Sequence, residues 1–359
     1  MLILTGPAMR KDQHPDLQPC ALNRMNETAR LAETCDVLAK SHAMPLTLAQ
    51  YASYLDTRDL TWPAPPEVKP AKARPHLSRL SGIRAVTWNI YGTLLAISGG
   101  ELHFEHPNEF VMSVALDKTI QEFKIWGAMS RKPGQPADYL ALIYKNLLDE
   151  QRTLPSCGEK YPEISVDRLW ETFIKKLFQK DYTFDTGFYG SLNEFSRKVA
   201  YFFHASLQGT ACYAGAATAL RLVKDAGLMQ GLGGDGQFFT VLQLERALTR
   251  QDPGAKLDEL IDSELRCLSF EIQGRRPSER LFRHIAQRFG QRGLSATQVL
   301  HIGSSVTHDV VPARRAGFKT GLFAGDKHSL DATREQMKDA ATRPDVLLSE
   351  LTQIADVIS

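Results

Sequence analysis

The sequence has few cysteines, and none are paired by spacing. Cys20, Cys35, Cys157, Cys212 and Cys267 share no C-x-x-C. This argues against a disulfide framework and against a structural zinc site, and it fits a reducing, cytoplasmic location. Long hydrophobic runs are also missing, so no membrane span and no membrane partner are expected. The opening "MLILTGPAMRKDQ" lacks both a leading charge and a full apolar segment, so no signal peptide is expected, and Met9 and Met25 are alternative starts. An excess of charge of one sign is absent too. Lys and Arg number 43 against 41 Asp and Glu, a formal +2, so no global field favours nucleic acid. Internal repeats and low-complexity tracts are lacking. What remains is an ordinary globular composition, 43% hydrophobic and 23% charged over 359 residues, enough for about two domains and a sizeable core.

The chain divides by pattern. Residues 1–60 read as a helical extension, with "NETARLAETCDVLAK" and "LTLAQYASYL" at helical spacing. Residues 61–80 form a Pro/Lys-rich linker, stiff, basic and extended, with a solvated tether as the favoured reading over an arm that docks on a partner. Residues 81–97 and 212–359 alternate strands with helices. The strands are "IRAVTWNI", "GLMQGLGG", "LRCLSFEI", "TQVLHIGS", "FKTGLFAG" and "PDVLLSEL". Such alternation predicts a three-layer α/β/α fold around a parallel sheet. Residues 98–211 break it with four amphipathic helical stretches, an all-helical cap inserted after the first strand.

In open parallel sheets, ligands sit beyond the carboxyl ends of the strands. Four such ends carry polar residues. The first strand, in "TWNIYGTLL", delivers Asn89, Tyr91 and Thr93. The second delivers Gly234 and Asp235. The segment after the third delivers Arg275 and Arg276, and the fourth, "GSSVTHD", delivers Ser304, Ser305 and Asp309.

This order resembles the haloacid dehalogenase-like (HAD) superfamily of hydrolases over residues 82 to 356, with the cap where C1-capped members insert theirs. The resemblance implies a Rossmann-type core. It also implies four motifs, which this chain alters. N-x-Y-G-T stands for D-x-D-G-T or D-x-Y-G-T, so Asn89 takes the place of the nucleophilic aspartate and Tyr91 the second position, as in dehalogenases. Gly234 replaces the Ser or Thr of the second motif. Arg276, before Pro277, replaces the lysine of the third. "GSSVTHD" places Ser304 and Asp309 at the spacing of the fourth.

HAD enzymes attack through an aspartate carboxylate, an activated anionic nucleophile. A neutral carboxamide cannot replace it, and losing such a group costs on the order of 10⁴ to 10⁶ in rate, roughly 5–8 kcal/mol. Mg²⁺ needs one or two carboxylates, and only Asp309 remains at the expected positions. No metal and no cofactor are therefore expected; Mg²⁺ enters only if the protein is an active hydrolase. Arg276 and Asp309 are expected to form a forked pair in a near-neutral pocket.

The sequence thus reads as a catalytically degenerate HAD-like protein. It would bind a small anion, through Asn89, Asp235, Arg276, Ser304 and Ser305, or a protein partner, through the N-terminal helices and linker. The alternative is an active phosphatase or 2-haloacid dehalogenase with a non-standard site. A structural role is the favoured reading for Asn89, and an ion pair with Asp309 for Arg276. His308 reads as a surface histidine near a helix start. "GGDGQ", Gly233 to Gln237, offers backbone N–H groups to an anion but is no P-loop. "HFEH", His103 to His106, lacks the spacing of a metal motif, and "YFFHAS", Tyr201 to Ser206, reads as cap core.

Overall fold

The structure, a computed structural model, describes residues 44–129, 135–153 and 158–358. The expected helix "NETARLAETCDVLAK" and both alternative starts lie outside the described residues.

The chain enters through α1 (Leu48–Asp56), whose capping box joins Thr47 to Gln50. Tyr51 and Leu55 bury its inner face. Next comes β1 (Ala85–Trp88), whose four residues are all buried, as suits a strand covered on both faces. β2 (Leu95–Ala96) leads into the cap, built from α2 (Glu109–Glu122), α3 (Pro136–Thr153), α4 (Val166–Phe178) and α5 (Leu192–Leu207). β3 (Ala211–Cys212) leads out again. β2 and β3 pair antiparallel, Leu95 opposite Cys212, so the two crossings between core and cap are tied together. The alternation then resumes with α6 (Ala216–Asp225), β4 (Met229–Gly234), α7 (Thr240–Gln251), β5 (Arg266–Leu268) and α8 (Glu279–Gln291). It ends with β6 (Val299–Gly303), α9 (Val311–Arg315), β7 (Lys319–Phe323), β8 (Val346–Leu348) and α10 (Ile354–Ile358).

The sheet runs β5-β4-β1-β6-β7-β8 and every neighbouring pair is parallel. β1 sits between β4 and β6, with Trp88 opposite both Leu232 and Ile302. The ends of β1, β4, β5 and β6 therefore open at one edge, beneath the cap. The three-layer α/β/α arrangement with an inserted helical cap is the one the alternation predicts. No helix among the described residues is long and apolar enough to cross a membrane.

Two features differ from the sequence reading. "LRCLSFEI" is a strand only over Arg266–Leu268; Ser269–Ile272 forms a helical turn. At the edge of the sheet, β5 needs only the partners Leu232 to Gly234, and the Ser269 hydroxyl is drawn into bonds with Gly236 and the cap. Second, residues 61–80 lie against the body instead of running free through solvent. Trp62 meets Phe202 of α5 edge-to-face at 5.4 Å. Further on, Lys69 O accepts from Lys327 N, His76 and Leu347 exchange backbone bonds, and Leu80 N donates to Val357 O. Ala71 and Ala73 cover the buried cluster of Val306, Leu322, Ala324 and Leu347. A proline-rich extended segment suits this role, because its backbone gives up little freedom on docking.

Candidate functional site

Asn89 continues β1 by one residue, its N–H donating to Ile302 O at 2.8 Å. Its carboxamide turns back on its own loop. Oδ1 accepts from Ile90 N at 2.8 Å, and Nδ2 donates to Tyr91 O at 2.9 Å. The residue is fully buried. A Cβ at position 234 would collide with Asn89 Oδ1, so the carboxamide fills the space that a side chain on β4 would need. Gly234 and Asn89 thus fit one another.

Tyr91 reaches the start of the helix that follows β4. Its hydroxyl donates to Gln243 Oε1 at 2.6 Å and lies 2.9 Å from Thr240 Oγ1, both on α7. Burial raises the phenol's pKa above its usual range, outweighing the Thr240 hydrogen bond, so it stays protonated. Thr93 is buried, and its hydroxyl has no partner among the described residues.

Asp309 reaches back to the end of β6. Its Oδ2 accepts from Ser304 N and Ser305 N, both at 3.0 Å, and its Oδ1 accepts from Arg276 Nη1 at 2.7 Å. A Cβ at Gly303 would collide with this carboxyl. Burial alone would raise the pKa of Asp309. Arg276 and His301 outweigh it and hold the carboxyl well below the carboxylate range. Arg276 does not fork onto Asp309 as expected; it bridges two carboxylates. Its Nε lies 3.3 Å from Asp235 Oδ2, while its backbone N–H donates to Asp235 Oδ1 at 2.7 Å. The Arg276–Pro277 peptide is cis. Ser305 Oγ donates to Asp331 Oδ2 at 2.6 Å, and His308, exposed, lies beside both.

Two of the "GGDGQ" N–H groups that could hold an anion are engaged: Gly236 N donates to Ser269 Oγ at 3.0 Å and Gln237 N to Thr240 Oγ1 at 2.8 Å. The cap closes over this mouth. Tyr161 O accepts from Arg275 N at 2.7 Å, and Gln237 Nε2 donates to Ile164 O at 2.9 Å. Glu163, at the entry to α4, is the residue that sequence reasoning missed. Its Oε2 accepts from Ser269 Oγ, its Oε1 accepts from Ile164 N at 2.8 Å, and Arg275 Nε approaches to 3.9 Å. Burial pushes its pKa up to about 7, with Arg275 opposing and Asp235 adding to the rise. No spacing could have revealed it, since it arrives from the inserted cap rather than from a strand end.

The chain is similar in fold to solved HAD-family hydrolases. Among them are 2-haloacid dehalogenase from Pseudomonas syringae pv. Tomato, 15% identical with a TM-score of 0.47, and a HAD phosphatase from Thermococcus onnurineus, 16% identical with a TM-score of 0.43. Each comparison covers 76% of this chain and 96% of the other. CbbY from Rhodobacter sphaeroides, solved with xylulose-1,5-bisphosphate, is 14% identical over 77% of this chain and 100% of its own, with a TM-score of 0.39. No family model matches the sequence, and no curated protein does.

The four strand ends thus converge; Arg276 ties Asp235 to Asp309, while Asn89 bonds its own loop. These residues do not fit a Mg²⁺ ion. The carboxamide oxygen of Asn89 is held by Ile90 N–H, and Asp309 is ringed by two N–H groups and a guanidinium. Clefts of about 1390, 630 and 160 Å³ are lined by other residues.

Proposed function

We propose that this HAD-like chain does not hydrolyse substrate and serves instead as a binding scaffold for a protein partner. The observation that carries the reading is the mutual fit of Asn89 and Gly234 under a bridged Asp309–Arg276–Asp235 network. The nucleophile's place holds a neutral amide bonded to backbone on both sides, with no geometry for attack. The positive charge that would receive an anion is matched by two carboxylates. Neither a metal nor a cofactor is part of this reading. Cys212 and Cys267, both free thiols, suit a reducing compartment and support a cytoplasmic location.

The test is hydrolysis by the purified full chain. A generic phosphate ester and 2-haloacids are offered with and without Mg²⁺, and no turnover above the buffer rate is expected. Turnover that Asn89→Ala abolishes would overturn the proposal in favour of an active hydrolase. A thermal-shift series with phosphate and small carboxylates tests the small-anion reading: a shift lost in Arg276→Met would place a small anion, not a protein, in this site.

A further inference from the structure

The largest of the three clefts, about 1390 Å³, lies between α8, α9 and the cap loop at Gly158–Tyr161, and reaches Pro277 and Thr307 beside the strand-end residues. Its floor is one face of α8. Arg280, His284 and Arg288 follow at four-residue steps, with Arg283 beside them, so their side chains share a face. Arg315 of α9 and Lys160 of the cap loop face them across the opening.

Two of the arginines there are already paired. Arg288 donates to Glu264 Oε2 at 2.9 Å, and Arg266 to Asp258 Oδ1 at 2.5 Å. Arg283 has only an exposed contact to Glu279 at 3.7 Å on the same helix. Among the described residues, no carboxylate lies within ion-pair distance of Arg280, Arg315 or Lys160. The local field is positive: His284 is held below its usual pKa, first by partial burial and then by Arg288 and Arg280. This stands out in a chain whose formal net charge is only +2.

We propose that this cleft docks an acidic, extended segment of a partner protein. Small-molecule sites usually occupy about 300–1000 Å³, so the opening suits a peptide better than a lone anion. Its unpaired cations are mostly arginines, whose planar forks match carboxylates. Three glutamates, Glu159, Glu271 and Glu279, also line it. They oppose the unbroken phosphate charge of a nucleic acid, and Tyr161 is the one Phe, Tyr or Trp ring among the lining residues, too few for a run of stacked bases. The proposal rests on the scaffold reading and names its partner class. Its test reads binding alone, so hydrolytic turnover would overturn that reading without deciding this one.

The experiment uses the full chain and a fluorescein-labelled ten-residue peptide of alternating glutamate and serine, followed by anisotropy. Binding is expected at low salt and should weaken as salt rises. The glutamine counterpart of the peptide should not bind. Charge reversal of three exposed residues, Arg280→Glu, Arg283→Glu and Arg315→Glu, should weaken binding at least tenfold, and Arg315→Glu alone severalfold, with melting temperatures unchanged. Arg334→Glu, exposed elsewhere, should leave binding as it is. No binding of the acidic peptide, an equal loss in Arg334→Glu, or tighter binding of a ten-nucleotide uridylate would each overturn the proposal.

Discussion

Asn89 and Gly234 show how a single position shapes its neighbour. The amide oxygen of Asn89 sits where the first carbon of any side chain at 234 would go. Gly234→Ala therefore overpacks a buried site and should cost about 1–3 kcal/mol. Asn89→Gly in the same chain makes room. The double variant should be more stable than the sum of the two single effects by about 1 kcal/mol or more in urea denaturation. Simple additivity would mean that the two residues do not share this space. Asn89→Asp tests the chemistry. A carboxylate keeps the acceptor for Ile90 N–H but loses the donor to Tyr91 O, setting two oxygens against each other. A loss of about 1–3 kcal/mol is expected, with no turnover of a phosphate ester with or without Mg²⁺. At this scale the sequence was informative about which residues meet and silent about where they point. The strand ends identified Asn89, Arg276, Ser304 and Asp309 because parallel strands must open at one edge. Nothing in the spacing indicated that Asn89 would bond its own loop, or that Arg276 would bridge Asp235 and Asp309 rather than fork onto one.

Elements built on a period were legible, and elements defined by what they touch were not. The cap helices and the six parallel strands carry the 3.6-residue and buried-run patterns that burial imposes. The pair β2 and β3, two residues each, carries no period, and its partners lie more than a hundred positions apart. The strap at 61–80 has no period either. Its prolines announce an extended chain, whereas its docking depends on Phe202 and on the β8 edge, which composition does not disclose. The strap's contribution is testable within it. Trp62→Ala removes an edge-to-face aromatic contact and part of the cover over α5, and should cost about 1–3 kcal/mol. Arg74→Ala, exposed and in the same segment, should change stability by less than about 0.5 kcal/mol. Equal effects would mean that the strap is held loosely.

For the whole molecule, two buried groups set opposing responses to pH. His204 is packed among the rings of Phe104, Phe203 and Phe239, and burial lowers its pKa from 6.5 to about 3. Its folded value lies below its unfolded one, so its contribution is present above pH 6.5 and is lost as pH falls toward 3, about 5 kcal/mol in all. Glu163 has the opposite sign. Burial raises its pKa from 4.5 to about 7, so its contribution is present below pH 4.5 and is lost as pH rises through 7, about 3 kcal/mol in all. Over the shared window each group titrates by one proton and the slopes cancel. The joint contribution of His204 and Glu163 should therefore be nearly flat between about pH 4.5 and 6.5, and the slope left there is that of the lowered His103 and His284 and the raised Glu271. Stability should fall steeply below that window, where Asp309 begins to lose its contribution as well. Removing either group should expose the other. His204→Phe keeps an aromatic ring in an aromatic site, and stability should then decline as pH rises across the window. Glu163→Gln keeps an acceptor for Ile164 N and a donor for Ser269, and stability should then climb with pH instead. The double variant should return to the parent's slope across the window. Urea denaturation at half-unit pH steps reads all four slopes. Parallel profiles in the two single variants would mean that neither group titrates within the fold.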